Sequence, residues 1–432
     1  MDHTLNRMSD NQRDPTVSQP DAAPLLRPFA GLRPAVGQAQ AVVAPPYDVL
    51  NSDEARKAAA GRPLSFLHIS KAEIDLAEGI DPYSALVYAR AAENFARMRN
   101  EGVLVADPHP CYYVYQLVMG GHEQNGLVAA ASVSAYESGR IRRHELTRPD
   151  KEDDRVRQIQ ALDAQTGPVF LTCREQPQMT RILTEVRTAP PDADVRLSGV
   201  QHRLWAIRDG AVIGALDQML DTLGTLYIAD GHHRSAAAGR IAAERRHVDP
   251  GYTGHEPWNY FLAVLFPDRE MQILDYNRVI RDWGRSSLPE FMQALAQSFS
   301  VLPSHVPVKP ARKGEFGLYT AGHWWRLAIS PRLVGRDPVE ALDVRLLDRY
   351  CLEPLLGITD PRRDRRIDFV GGIRGLQELE RRVDSGQAVL ALSLFPTALG
   401  ELMAVADQNG IMPPKSTWFE PKLADGLVSH LL

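Results

Sequence analysis

Residues 226–240 read Leu-Tyr-Ile-Ala-Asp-Gly-His-His-Arg-Ser-Ala-Ala-Ala-Gly-Arg, and this run constrains the fold more than any other in the chain. The apolar start suits a short strand, and the alanine-rich end suits a helix. Between them, Asp230-Gly231-His232-His233-Arg234 must turn one element into the other. Gly231 permits a sharp turn and a close backbone approach to a ligand. Asp230 suits a helix cap, because a carboxylate accepts N–H bonds at a helix start. Such a junction aims backbone N–H groups and the positive end of a helix dipole at one spot. His232, His233 and Arg234 crowd that spot and read as donors to phosphate oxygens. A capped helix with a satisfied histidine pair is the competing reading. A metal site is a weaker third one, since adjacent histidines do not share a helix face as positions i and i+4 do.

Composition narrows the class of protein. The 432 residues are 44% hydrophobic, enough for a sizeable core in one large or several smaller domains. A net charge of −5 points away from nucleic acid and from membrane surfaces. Cys111, Cys173 and Cys351 are far apart and form no Cys-x-x-Cys pair. That pattern argues against disulfides and a cysteine zinc site and fits a reducing cytoplasm. Residues 1–26 read as a disordered tail rather than a signal peptide. No stretch approaches the roughly 20 apolar residues of a membrane span.

Short strands are expected before Pro45-Pro46 and over 65–74, and a helix over 82–101 with Leu86, Ala89, Ala92, Phe95 and Met98 on its apolar face. Residues 112–118 and 126–133 suit a hairpin, 141–162 a basic stretch running into a charged helix, and 168–173 a buried strand. A Pro- and Ser-rich stretch over 285–312 divides an N-terminal α/β region (27–285) from a C-terminal one (286–432). Strands alternate with helices, so the expected class is α/β or mixed α+β.

Three further segments carry chemistry. In Arg142-Arg143-His144-Glu145-Leu146-Thr147-Arg148, cations around Glu145 favour its ionised, proton-accepting form. A solvated start to a charged helix is the alternative. Residues 412–422 form a stiff loop in which Lys415, Ser416 and Thr417 suit phosphate, without the glycines of a P-loop; a rigid packing loop competes. Residues 360–375, ending at Arg374-Gly375, suit either an anion-facing loop or a solvated basic turn.

Together, Ala-Pro-Pro-Tyr-Asp-Val, His-Glu-Leu-Thr-Arg-Pro-Asp-Lys-Glu-Asp-Asp-Arg, Ala-Asp-Gly-His-His-Arg, Leu-Asp-Tyr-Asn-Arg, Ile-Asp-Phe-Val-Gly-Gly-Ile-Arg-Gly and Met-Pro-Pro-Lys-Ser-Thr-Trp-Phe-Glu-Pro-Lys resemble the domain-of-unknown-function 1015 family, in matching order over about 27–432. The Asp-Gly-His-His-Arg corner, the upstream His144-Glu145 pair and the late Pro-Lys-Ser-Thr segment are also similar to free-serine kinases of the ParB/sulfiredoxin fold. Arg143 stands where the kinase segment has proline, and this chain is much longer.

The resemblance implies a ParB/sulfiredoxin-like core and a phosphoryl transfer from ATP or ADP, with Mg2+, to free L-serine or a similar hydroxy amino acid. It implies Glu145 as base with His144 beside it, and nucleotide phosphates on Asp230, Gly231, His232, His233, Arg234, Lys415, Ser416 and Thr417. Asp48, Glu73, Arg148 and Arg374 are the expected acceptor-side residues. No side-chain signature for a metal is expected beyond Mg2+ carried with the nucleotide, and a homodimer is a compatible assembly. The rival readings are a non-catalytic nucleotide-binding regulator and a ParB-like DNA-binding protein. A sulfiredoxin-like reductase is set aside, because His232 stands where that chemistry needs cysteine.

Overall fold

The computed structural model describes residues 24–284 and 287–432. The larger of its two main sheets contains β1 (Leu26–Arg27), β2 (Tyr112–Met119), β3 (His122–Ser132), β4 (Ile141–Arg142), β5 (Val169–Cys173), β6 (Ala193–Leu197), β7 (Val200–Ile207), β8 (Leu226–Asp230) and β9 (Tyr260–Pro267). Their spatial order is β4-β8-β5-β9-β3-β2-β7-β6, with β1 beside β3. The β9–β5 and β8–β4 pairs are parallel and the others antiparallel. Alternate residues of β2 enter different cores: Tyr112 and Val114 one, Tyr113, Tyr115 and Leu117 the other. Both faces of the sheet are therefore covered, which is why its central strands are nearly continuous apolar runs.

The second sheet is antiparallel. It comprises β10 (Tyr276–Ile280), β11 (Phe299–Ser304), β12 (Glu315–Thr320), β13 (His323–Ile329), β14 (Ile367–Gly371) and β15 (Leu390–Leu394), in the order β11-β13-β12-β15-β10-β14. β10 thus joins the second sheet although it precedes residue 286, and β14 lies inside the segment read above as a loop. The architecture is mixed α+β.

The chain then returns to the N-terminal region through two small two-stranded pairings. Trp418–Glu420 pairs with Gln272–Leu274, and His430–Leu431 pairs with Ala164–Gln165. Leu423, Ala424, Leu427 and Val428 pack with Tyr113, Tyr115 and Phe170. The Ala424 N–H donates to the Tyr115 hydroxyl at 3.1 Å, and that hydroxyl also meets His202 Nδ1 at 2.7 Å. The last segment is thus part of the N-terminal core, while Trp418 at its start packs edge to face on Tyr276 of the second sheet.

Several expectations need correction. Residues 1–23 of the expected tail lie outside the described residues, but Leu25 and Leu26 are buried and Leu26 pairs with Ala131. The stretch before Pro45 is a short helix, Ala39–Val42, followed by one bridge from Ala44 to Asp425. Residues 65–74 form the helix Leu67–Ser70 and the 3-10 turn Ala72–Asp75, since a short apolar run does not by itself separate helix from strand. The helix expected over 82–101 is Ala85–Asn100, but Leu86 is exposed and Val87, Tyr88, Ala91, Phe95 and Met98 face inward. A hydrogen bond from the Tyr88 hydroxyl to Asp154 at 2.8 Å holds that rotation.

Leu427 is 1% exposed in the core that joins the first sheet to the C-terminal segment. Leu427→Ala is expected to cost about 2–5 kcal/mol in denaturant unfolding followed by intrinsic fluorescence. A loss near zero would separate the segment from that core.

Candidate functional site

β8 ends at Asp230, and the helix His232–Val248 begins directly after Gly231. Gly231 has φ +96°, and a Cβ on it would sit 3.3 Å from Val169 Cα, so both torsion and space select glycine. Asp230 does not cap the helix, contrary to expectation. Its Oδ1 accepts the Gly231 N–H at 2.7 Å, and its Oδ2 accepts from Lys422 Nζ at 2.9 Å. No side chain caps the helix, and among the described residues no acceptor takes the backbone N–H of His232 or His233. The corner therefore keeps a helix start with unpaired backbone donors, the geometry that suits an anion.

The 143–148 loop lies on this corner. The His144 N–H points to His232 Nε2 at 3.5 Å, and the Arg148 N–H donates to His233 Nε2 at 3.0 Å. The His144 and His232 rings meet edge to face at 4.5 Å. Burial pushes His144 down to about 4. Burial also drives His232 well below its ordinary value, with His144 adding to the effect. His233 is lowered as well, by burial and then by Arg234 and Arg148. Burial thus favours the neutral imidazoles, and the Nε2 atoms of His232 and His233 accept from the loop. With Nε2 accepting, each of His232 and His233 has Nδ1 as its remaining N–H donor, beside the unpaired backbone N–H groups of the corner. Arg234 is also engaged, donating to the Pro168 carbonyl and pairing with Asp48 at 3.1 Å.

The late loop completes the site. The Met412 N–H donates to the His144 carbonyl at 2.8 Å, docking this loop beside Glu145. Lys415 has φ +60° and an exposed side chain, while its carbonyl is held by Arg278 at 3.0 Å. Ser416 is buried and donates to the Pro413 carbonyl at 2.6 Å, so its hydroxyl shapes the turn rather than facing a ligand. Thr417 is partly buried. Lys422, absent from the sequence-based set, reaches Asp230 across 192 positions of sequence. Its motif was visible, but no spacing pattern marks a single lysine so distant from its partner.

Glu145 Oε2 lies 3.9 Å from His232 Nδ1, with 42% of the side chain exposed. Burial raises its carboxyl above the ordinary value and Asp230 adds to this, while Lys415 and Lys422 oppose it. Burial alone would also raise Asp230, but Lys422 and Arg234 hold it well below the usual carboxylate range. Two carboxylates are thus driven apart, one toward proton acceptance and one fixed as an anion.

Asp48 joins the site through Arg234, and Arg148 through its backbone; the Arg148 guanidinium pairs with Asp150 instead. Glu73 and Arg374 are not brought to it. Glu73 is buried against Ser52 and Lys71, and Arg374 is exposed beside β14. Ligand atoms of His144, Glu145 and His232 lie within 4.8 Å of one another, a set that the sequence reading did not anticipate. Its imidazoles suit a transition metal, whereas Mg2+ prefers oxygen.

Among the described residues no helix is long and apolar enough to cross a membrane. No curated protein matches this chain. Three solved structures are similar to it at low levels. A free serine kinase in complex with AMP has a TM-score of 0.34 and 12% identity, covering 69% of this chain and 92% of that one. A conserved hypothetical protein from Pyrococcus furiosus has a TM-score of 0.34 and 13% identity, covering 70% and 95%. SbnI from Staphylococcus aureus, truncated at its C-terminus, has a TM-score of 0.37 and 10% identity, covering 69% and 85%. The family model described as "Protein of unknown function (DUF1015)" matches residues 26–345, and the chain belongs to that family.

Proposed function

We propose that this protein is a small-molecule kinase, transferring a phosphoryl group from ATP or ADP to the hydroxyl of free L-serine or a similar hydroxy amino acid. One observation carries the reading. An uncapped helix start, two lysines and a carboxylate with raised proton affinity converge from three segments remote in sequence. Phosphoryl transfer needs little more than alignment and charge neutralisation, and these groups suit both.

The backbone N–H groups of His232 and His233 hold the donor phosphates. Lys415 and Lys422 neutralise charge that builds on the transferred group and on the leaving oxygen. Glu145 accepts the proton of the acceptor hydroxyl as that oxygen bonds to phosphorus and the bridging P–O bond breaks. His232 Nδ1 lies beside the Glu145 carboxylate and orients it, and neutral His144 excludes water behind it. ATP or ADP, with Mg2+ carried with the nucleotide, would supply the phosphoryl group.

Glu145→Gln should lower transfer by about 10²–10⁴-fold with nucleotide affinity near wild type. Mass detection of the phosphorylated acceptor and calorimetric titration of the nucleotide measure the two effects; full activity would remove Glu145 as the base.

The acid limb of the pH–rate profile should lie above the ordinary glutamate value of 4.5, because burial raises this carboxyl. Lys415→Met should move that limb to higher pH, since Lys415 favours the ionised form. An unmoved limb would separate Lys415 from the base.

Lys422→Met leaves Asp230 without its cation. The variant should lose about 1–3 kcal/mol of stability, discounted for the pair's partial exposure. It should also weaken nucleotide binding. Adding Asp230→Asn should recover stability but not binding, as thermal unfolding and titration would show.

A further inference from the structure

Beside the corner lies a cavity of about 30 Å³, lined in part by Tyr47, Arg155, Thr166, Gly167, Arg234 and Asp425. Asp425 is 2% exposed, and both its backbone N–H and its carbonyl bond to Ala44, so the side chain is rigidly placed. Its Oδ2 accepts the Tyr47 N–H at 3.2 Å, while its Oδ1 has no partner. The neighbouring guanidiniums are committed elsewhere. Arg155 pairs with Asp154 at 2.6 Å, and Arg234 with Asp48 at 3.1 Å. Among the described residues no cation stands within ion-pair distance of Asp425.

Counted pair by pair, this leaves one buried negative charge unmatched. A buried carboxylate is costly without a cation or a full set of donors. Burial pushes Asp425 up to about 7, with Arg234 and Arg155 opposing and Asp48 reinforcing the rise. Gly167 supplies the space: a Cβ there would stand 3.4 Å from both Asp425 Oδ1 and Arg234 Cδ. The volume is too small for a whole amino acid and sufficient for a head group the size of one or two waters.

We infer that this cavity seats the primary ammonium group of the acceptor, with Asp425 Oδ1 as its acceptor atom, so that Asp425 selects amine-bearing alcohols over hydroxy acids that lack the amine. The remainder of the acceptor lies toward Asp48, which is 39% exposed and is electrostatically coupled to both Asp425 and Lys422. The inference rests on the kinase reading for its consequence in turnover, but not for the binding event.

Two measurements test it on the full chain. In the first, L-serine and L-glycerate, which differ by a hydroxyl in place of the amine, are titrated by calorimetry without nucleotide. L-serine should bind and glycerate should not. Asp425→Asn, which keeps the shape and the bond from Tyr47, should weaken L-serine binding on the order of 100-fold. Gly167→Ala, whose methyl group makes only ordinary contact, should do the same by filling the space. In the second, transfer to both acceptors is followed by mass detection. Wild type should favour L-serine, and Asp425→Asn should raise KM for L-serine with little change in nucleotide affinity.

Amine-dependent binding that Asp425→Asn abolishes, without transfer to any acceptor, would sustain the ammonium site and sink the kinase reading. Transfer to L-serine that both variants leave unchanged would overturn the site and sustain the kinase. Equal binding of serine and glycerate would overturn the site too, and make the cavity a water pocket.

Discussion

The ion pair between Asp230 and Lys422 is the contact on which the site depends. Asp230 stands next to the helix start, where its negative charge would otherwise repel the anions that this start attracts. Lys422 cancels that charge at 2.9 Å and holds the C-terminal segment against the corner. One bond thus does two things: it fixes the electrostatics of the helix start, and it ties to the corner the segment that follows the 412–417 loop, which the Met412–His144 bond docks beside Glu145. The pair is partly screened, with side-chain exposures of 23% and 32%, so its direct energy is modest. Its leverage comes from position, because the segment that carries Lys422 is also built into the first core.

The histidines serve geometry before chemistry. In a buried setting an imidazole gives up its proton, and its bare nitrogen can then accept. His232 and His233 use this to hold the backbone of the 143–148 loop at His144 and Arg148. The loop that carries Glu145 is thereby attached to the helix that would bind the donor phosphates. In the proposed reaction, base and phosphate cradle would share one mount, as a reaction governed by alignment requires.

Much of this was legible in the sequence, and the remainder follows a physical pattern. The strand, the glycine turn and the helix at 226–248 were readable because local rules decide them. So was the hairpin, whose turn at Gly120 has φ +59°. The grouping of Glu145 with the 230–234 corner and the 412–417 loop came from motifs in order. What escaped is set by partners distant in the chain. His232 and Arg234 have residue types that suggest donors, but their roles are decided by His144, Pro168 and Asp48. Ser416 belongs to its own turn, Glu73 to a separate cluster, and Lys422 and Asp425 were overlooked because a single residue has no period or spacing. The rotation of the 85–100 helix escaped for the same reason, since Tyr88 is fixed by Asp154.

The charges around Glu145 couple binding to proton acceptance. Burial and Asp230 raise the proton affinity of this carboxyl, and Lys415 and Lys422 lower it. In the proposed reaction those lysines meet phosphate, which partly cancels their charge. Their pull on Glu145 then weakens, and its proton affinity rises further once the donor is in place. Under that proposal, a carboxylate that is a weak base in the free protein would become a stronger one when a phosphoryl group is available. The arrangement needs no moving part. It follows from placing one carboxylate within reach of the same two cations that would hold the donor, and it ties the strength of the base to the occupancy of the phosphate site.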